Sequence, residues 1–256
     1  MISNAPHCHY RRNPLADVIC QFRFPEILSI ETTFPSEFQE QIRDRFPIFR
    51  QLQEFIPEKG SALSPVAKPK SIVNYQFLSA DGKWCINLTS RFISLSCSEY
   101  CCWEQFASHL DQPLAAFLQL YRPSHFERVG LRYVNFFSRK NLDLDLTPFR
   151  ELFSPCYLGP LAMDQVVEST VSKSIVEFDI ALHGGCRAKV HAGPGLVNRN
   201  VISDKEIKFI LDQDIYMNGP FALNMAVNSL NTLHNQAYAL FRGAVTNRMH
   251  EAMQPE

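Results

Sequence analysis

The stretch Ile72-Val73-Asn74-Tyr75-Gln76-Phe77-Leu78-Ser79-Ala80-Asp81-Gly82-Lys83-Trp84-Cys85-Ile86-Asn87-Leu88-Thr89 decides the fold class. Two short apolar runs flank Asp81-Gly82, the dipeptide that most readily supplies a tight hairpin turn. Strands that are neighbours in sequence therefore pair antiparallel. Downstream, Phe92–Cys97 reads as a third strand. Trp103–Tyr121 then switches to helical spacing through Trp103, Phe106, Leu110, Leu114, Phe117 and Leu118, interrupted by Pro113. Phe126–Phe137 returns to strand. Upstream, residues 57–70 collect three prolines, a glycine and three lysines, which is loop composition.

Further upstream, Leu15–Phe24 alternates, with Val18, Cys20, Phe22 and Phe24 on one face and Asp17, Ile19, Gln21 and Arg23 on the other. Phe34-Pro35-Ser36-Glu37 opens a helix whose inner stripe is Phe38, Ile42, Phe46 and Phe49, with Pro47 kinking or ending it. Residues 1–13 are polar and read as a loose extension.

The second half repeats the plan. After a loop (Asn141–Gly159) come strands at Met163–Ser172, Ser174–His183 and Arg187–Ala192, joined as a meander. Gly193-Pro194-Gly195 and a polar loop follow, then a strand at Glu206–Tyr216. The chain closes on a helix from Pro220 to Met253, 34 residues and about 51 Å long at the α-helical rise. Its apolar stripe is Leu230, Leu233, His234, Ala237, Phe241, Ala244, Val245 and Met249. The expected class is α+β: mostly antiparallel curved sheet with helices on one face, closed by a long C-terminal helix. Residues 1–140 and 141–256 form two similar α+β halves, or else one continuous domain.

Three segments resemble a sporadically distributed bacterial protein family of unassigned function. They are Asn13-Pro14-Leu15-Ala16-Asp17-Val18-Ile19 with Phe22–Pro25 and Pro35–Phe38; Phe126–Asn135, containing Gly130-Leu131-Arg132-Tyr133; and Leu211–Asp214 with Leu233-His234, Phe241 and Val245-Thr246. At position 17 the family more often carries Glu. The resemblance implies a shared fold and a bacterial or phage-related source, and it supplies no reaction.

Charge and composition exclude several classes. The net charge is −1, so no electrostatic footprint for nucleic acid is present in the chain as a whole. No apolar run has the length of a membrane span, and Met1–Arg12 lacks the apolar core of a secretory signal. The eight cysteines are then expected as reduced thiols in a cytoplasmic protein.

The candidate ligand-binding residues are Arg128, Arg132, Asp212, Asp214 and His234. A histidine beside carboxylates can act as a general base or be oriented by them. Asp212 and Asp214, two apart, share one side of a strand. Arg128 and Arg132 share a face with Gly130 between them, and could grip a carboxylate or phosphate bidentately. The competing reading is structural: ion pairs between these arginines and aspartates, and a core histidine satisfied by one hydrogen bond. Arg187, Lys189 and His191 alternate on another strand and could extend a basic face. Cys97-x3-Cys101-Cys102 with His109, and His7-Cys8-His9, fall short of a zinc pattern because no second ligand pair accompanies them. No phosphate loop, nucleophile elbow or Cys–His signature is present, so no cofactor, metal or catalytic residue is expected.

Two functions remain. The favoured one is a non-enzymatic interaction or regulatory protein whose partner is encoded by a neighbouring gene, as in antitoxin, immunity or phage-defence pairs; homo-oligomers are open. The alternative is a ligand-binding or hydrolytic domain with a pocket between the sheet and the C-terminal helix.

Overall fold

The computed structural model describes residues 2–56, 70–197 and 205–256. Its strands are β1 (Leu15–Arg23), β2 (Ile48–Ile56), β3 (Lys70–Leu78), β4 (Trp84–Leu88), β5 (Phe92–Cys97), β6 (Phe126–Phe137), β7 (Val176–Ala181), β8 (Arg187–Leu196) and β9 (Ile207–Phe221). Their order is β2-β3-β4-β5-β1-β6-β9-β8-β7 in one open antiparallel sheet. The helices are α1 (Ser29–Thr32), α2 (Ser36–Ile42), α3 (Trp103–Tyr121), α4 (Phe149–Leu152), α5 (Leu223–Asn228), α6 (Leu230–Ala244) and α7 (Asn247–Ala252). The class is therefore α+β. Among the described residues no helix is long and apolar enough to cross a membrane. The loop expected at 57–69 and most of the polar loop after Gly195, residues 198–204, lie outside the described residues.

Two compact units are formed, each from non-consecutive stretches. Unit 1 holds residues 1–18, 130–217 and 228–256; unit 2 holds 19–129 and 218–227.

In unit 2 the Asp81-Gly82 hairpin joins β3 to β4 as its sequence requires. Gly82 sits at φ +72°, its N–H donates to the Ser79 carbonyl, and the Asp81 carboxylate accepts from Ser79 Oγ and the Lys83 N–H. Those bonds also hold the Asp81 carboxyl below the usual range. α3 has the predicted limits, and its stripe of Phe106, Leu110, Leu114 and Phe117 is buried. Phe117 packs on Phe24 at 4.7 Å, and Phe38 of α2 on Phe77 at 5.3 Å.

One expectation for this unit changes. α2 stops at Ile42, so Phe49 does not extend its stripe. Phe49 lies on β2, 38% exposed, with its ring 6.2 Å from that of Tyr75.

Unit 1 is built on a cluster of phenylalanines. Phe153 stacks on Phe209 at 3.8 Å and meets Phe137 edge-on at 5.0 Å, while Phe149 packs on Phe209 at 5.4 Å. Leu233, Ala237, Leu240 and Ala244 form the buried side of α6.

The closing helix is present but divided. β9 runs on through Pro220 to Phe221, and the long member α6 spans 15 residues. It ends because Val245 turns extended and pairs with Phe153, with the Ser154 N–H donating to the Ala244 carbonyl and the Thr246 N–H to that of Leu152. Thr246 then caps α7 by accepting from the Met249 N–H.

The strand expected at Met163–Ser172 does not form; that segment holds a single 3-10 turn, Glu168–Thr170. Glu168 explains the fold-back: its carboxylate takes the Phe149 N–H at 2.8 Å and Arg139 at 2.7 Å, tying the segment to the start of α4. β8 also runs further than expected, with Gly193–Leu196 pairing with Ile207–Ile210. Pro194 is tolerated there because β7 pairs with β8 only as far as Ala192, which leaves that side of the ladder open.

Candidate functional site

Strand alternation sorts the sequence-derived candidates. On β6, Arg132 is exposed and Tyr133 buried; on β9, Asp212 and Asp214 flank the fully buried Gln213. Arg132 grips Asp212 bidentately, Nε to Oδ1 at 2.7 Å and Nη2 to Oδ2 at 2.6 Å. That hydrogen-bonded pair, with Asp214 and Asp17 behind it, holds the guanidinium above its ordinary pKa. Tyr133, on the opposite face, exchanges a 2.8 Å hydrogen bond with His234 Nδ1 on α6. His234 is thus on the helix-covered side of β6, and Arg132, Asp212 and Asp214 are on the other. His234 is therefore not brought together with Arg132, Asp212 and Asp214. Arg128 belongs to unit 2.

The outer face of unit 1 is a mixed-charge ladder. Arg187 bonds Asp179 at 2.6 Å, which also accepts from the Tyr216 hydroxyl at 2.9 Å. Lys189 meets Glu177 at 2.9 Å, with His191 3.5 Å from the same carboxylate. The register sets Lys189 opposite Asp214 and His191 opposite Asp212. The basic residues of β8 are therefore interleaved with carboxylates, and the surface carries no uniform sign. Exposed pairs of this kind contribute little to stability and chiefly specify strand register.

A cluster that sequence reasoning missed lies where the N-terminal segment meets α6 and α7. Residues 1–13, expected loose, are docked. The Ser3 N–H donates to the Ala239 carbonyl, Arg11 to Gln254 and Arg12 to Met253, and Tyr10 bridges to Pro255. His7 stacks on Tyr238 at 4.0 Å and lies 5.1 Å from the His234 ring. Cys8 Sγ is 3.4 Å from the Tyr238 hydroxyl, which donates to the Pro6 carbonyl, and the Tyr10 hydroxyl is 2.8 Å from His250 Nδ1. The four-residue spacing of His234 and Tyr238, one helical face, was the available signal.

Burial pushes the Tyr238 hydroxyl up to about 12 and raises that of Tyr10, so both stay protonated and neither serves as a base. Burial holds His7 and His250 below the ordinary 6.5, with His9 adding to the effect on His7 and Arg242 to that on His250. The sign follows directly: both imidazoles are neutral when docked and gain protons more readily when released. Docking is then complete above about pH 6.5 and weakens as pH falls through the lowered values. Amide hydrogen exchange at Arg11 and Arg12, corrected for intrinsic rates, is expected to quicken at mildly acid pH relative to a core amide. Unchanged relative protection would refute the coupling.

His109, considered with Cys97, Cys101 and Cys102, lies flat on Trp84 at 3.9 Å with its Nδ1 2.9 Å from the Gln105 carbonyl. Cys97 is buried while Cys101 is exposed. Among the described residues no group of three or more His, Cys, Asp or Glu is placed to hold a metal.

Among the described residues, two of the clefts that open to solvent have no residue of α6 in their lining. One, of about 250 Å³ in unit 1, is bounded by Arg11, Arg12, Asn13 and Ser138. Both arginines are already committed there, Arg11 to Glu256 and Arg12 to Asp143. The other, of about 390 Å³ in unit 2, is lined by Phe34, Pro35, Glu37, Leu120 and Tyr121. Phe34 in that lining is 64% exposed and Leu28, close by in sequence, 67%. No family model matches the chain, and no curated protein is similar to it in sequence.

Proposed function

We propose that the protein is a non-enzymatic interaction protein that captures a segment of a protein partner in the unit 2 cleft. The observation that carries this reading is the exposed Phe34 beside Pro35, Leu120 and Tyr121, with the Glu37 carboxylate in the same lining. Exposed aromatic side chains grouped around a cleft are the usual anchors of a protein contact. The chemistry suits an apolar segment flanked by a basic residue. The resemblance to sporadically distributed bacterial proteins suits, by analogy, a partner encoded by a neighbouring gene, such as a toxin or a phage component. A hydrolytic reading has less support, because its residues are divided between two faces of β6 and β9 and His234 is engaged by a tyrosine.

Co-expression with each adjacent gene product tests this. One of them is expected to co-purify with the wild-type chain, and Phe34→Asp to weaken that complex by at least about tenfold. Phe34 is mostly solvent-exposed, so the variant is expected to melt at nearly the wild-type temperature. Failure of every neighbour to bind, or equal binding by the variant, would remove the reading.

A further inference from the structure

We propose that two copies of this chain join through β2, edge to edge and antiparallel, about a two-fold axis at Leu52. This does not rest on the partner cleft and uses a different surface. β2 is the terminal strand of the sheet order and pairs, among the described residues, only with β3. Its outward row of backbone N–H and C=O groups is a template for another strand. Nine residues without an internal proline give an edge about 30 Å long.

What fits that edge is written in its own sequence. From Ile48 to Ile56 the strand reads Ile-Phe-Arg-Gln-Leu-Gln-Glu-Phe-Ile, the same in both directions apart from Arg50 against Glu54. Pro47 and Pro57 extend the symmetry by one residue on each side. Centred on Leu52, an antiparallel pair sets position 48 opposite 56, 49 opposite 55, 50 opposite 54, 51 opposite 53, and 52 opposite itself. Directly opposed residues share a face of the sheet. One face then carries Ile–Ile, Arg–Glu, Leu–Leu, Glu–Arg and Ile–Ile; the other carries Phe–Phe, Gln–Gln, Gln–Gln and Phe–Phe. The one departure from the palindrome is the substitution a two-fold axis requires, since it brings opposite charges together twice.

Competing arrangements lose these matches. A parallel in-register pair opposes Arg50 to Arg50 and Glu54 to Glu54. A shift by one residue sets Phe against Glu. The pair is isologous and closes, so it yields a dimer and not a fibre. Edge strands usually carry charges that repel a second copy; here the two charges select one. Ile48, Phe49 and Leu52 are 38%, 38% and 45% exposed, apolar surface that the pairing would cover.

Sedimentation of the purified full chain tests this with a charge-exchange set. The wild type is expected at twice its 29.3 kDa mass. Arg50→Glu alone, and Glu54→Arg alone, each place like charges opposite one another twice and are expected to weaken the dimer at least about tenfold. An equimolar mixture of the two single variants restores complementary charges and is expected to sediment as a heterodimer, as is the double variant with itself. That rescue separates lost pairing from lost folding. A wild type that stays monomeric at every soluble concentration overturns the proposal. Single variants that dimerise as tightly as the wild type, or a mixture that stays monomeric, would equally overturn it.

Discussion

Phe153→Ala is expected to destabilise unit 1 by about 4 kcal/mol, read as a lower urea midpoint at unchanged slope. Phe153 is completely buried; its ring lies on Phe209 at 3.8 Å and 19°, and meets Phe137 at 5.0 Å and 81°. Truncation removes the transfer free energy of a phenyl group and leaves a void that three surrounding rings can only partly close. Each aromatic pairing adds roughly 0.5–1.5 kcal/mol beyond buried area, and those with Phe209, Phe137 and Phe149 are lost at once. The same residue bridges through its backbone to Val245, where α6 gives way to α7, so loosening here also reaches the C-terminal helices. Against a total stability of roughly 5–15 kcal/mol the variant is expected to be folded but markedly softened. Phe153→Leu retains most of the apolar volume and is expected to lose roughly a third as much. Comparable losses for the two variants would mean that cavity formation and ring stacking are not what Phe153 contributes.

What the sequence made legible is what local chemistry controls. The Asp81-Gly82 turn and the buried stripe of α3 follow from φ preference and 3.6-residue periodicity, and both appear as read. β2 was hidden because Phe46 and Phe49 fit a helical stripe, while residues 48–53 are exposed throughout and show no apolar–polar alternation to betray a strand. The end of α6 was hidden for another reason. Nothing between Leu230 and Met249 breaks helical spacing; Val245 leaves the helix because Phe153, far away in sequence, offers it a strand partner.

The candidate site divides along the same line. That Asp212 and Asp214 share a side of β9 is a local consequence of pleating, and so is the place of Arg132 and Tyr133 on opposite faces of β6. Which face α6 would cover is not local, and that choice gave His234 a tyrosine in place of a carboxylate. The docking of His7, Cys8 and Tyr10 onto the other end of the chain was equally out of reach of periodicity.

Gly193→Ala carries the other large expectation, a loss of about 3 kcal/mol or more, within the range that backbone conflicts produce. A Cβ at this position would lie 2.2 Å from the Ser174 carbonyl oxygen, 3.2 Å from its carbon and 3.3 Å from the Ile175 Cα. All of these are backbone atoms, so no side chain can rotate aside. Ser174 is itself buried, with its Oγ donating to the Leu158 carbonyl at 3.4 Å. Relief therefore requires moving either β8 or the chain that leads into β7. Gly195→Ala is the control two residues on: its Cβ would meet only the Ile210 Cδ1 at 3.0 Å, the mobile tip of a side chain. An alanine there gains roughly 0.4–1 kcal/mol from the stiffer unfolded chain, which offsets the small adjustment of Ile210. Urea unfolding of the two variants is expected to separate them widely, with faster amide exchange along β7 in Gly193→Ala alone. Equal stabilities would mean that Ser174 does not pass over β8, and the glycine-rich run would then have no packing reason. A wide gap would show that position 193 is a glycine because another stretch of backbone lies against it.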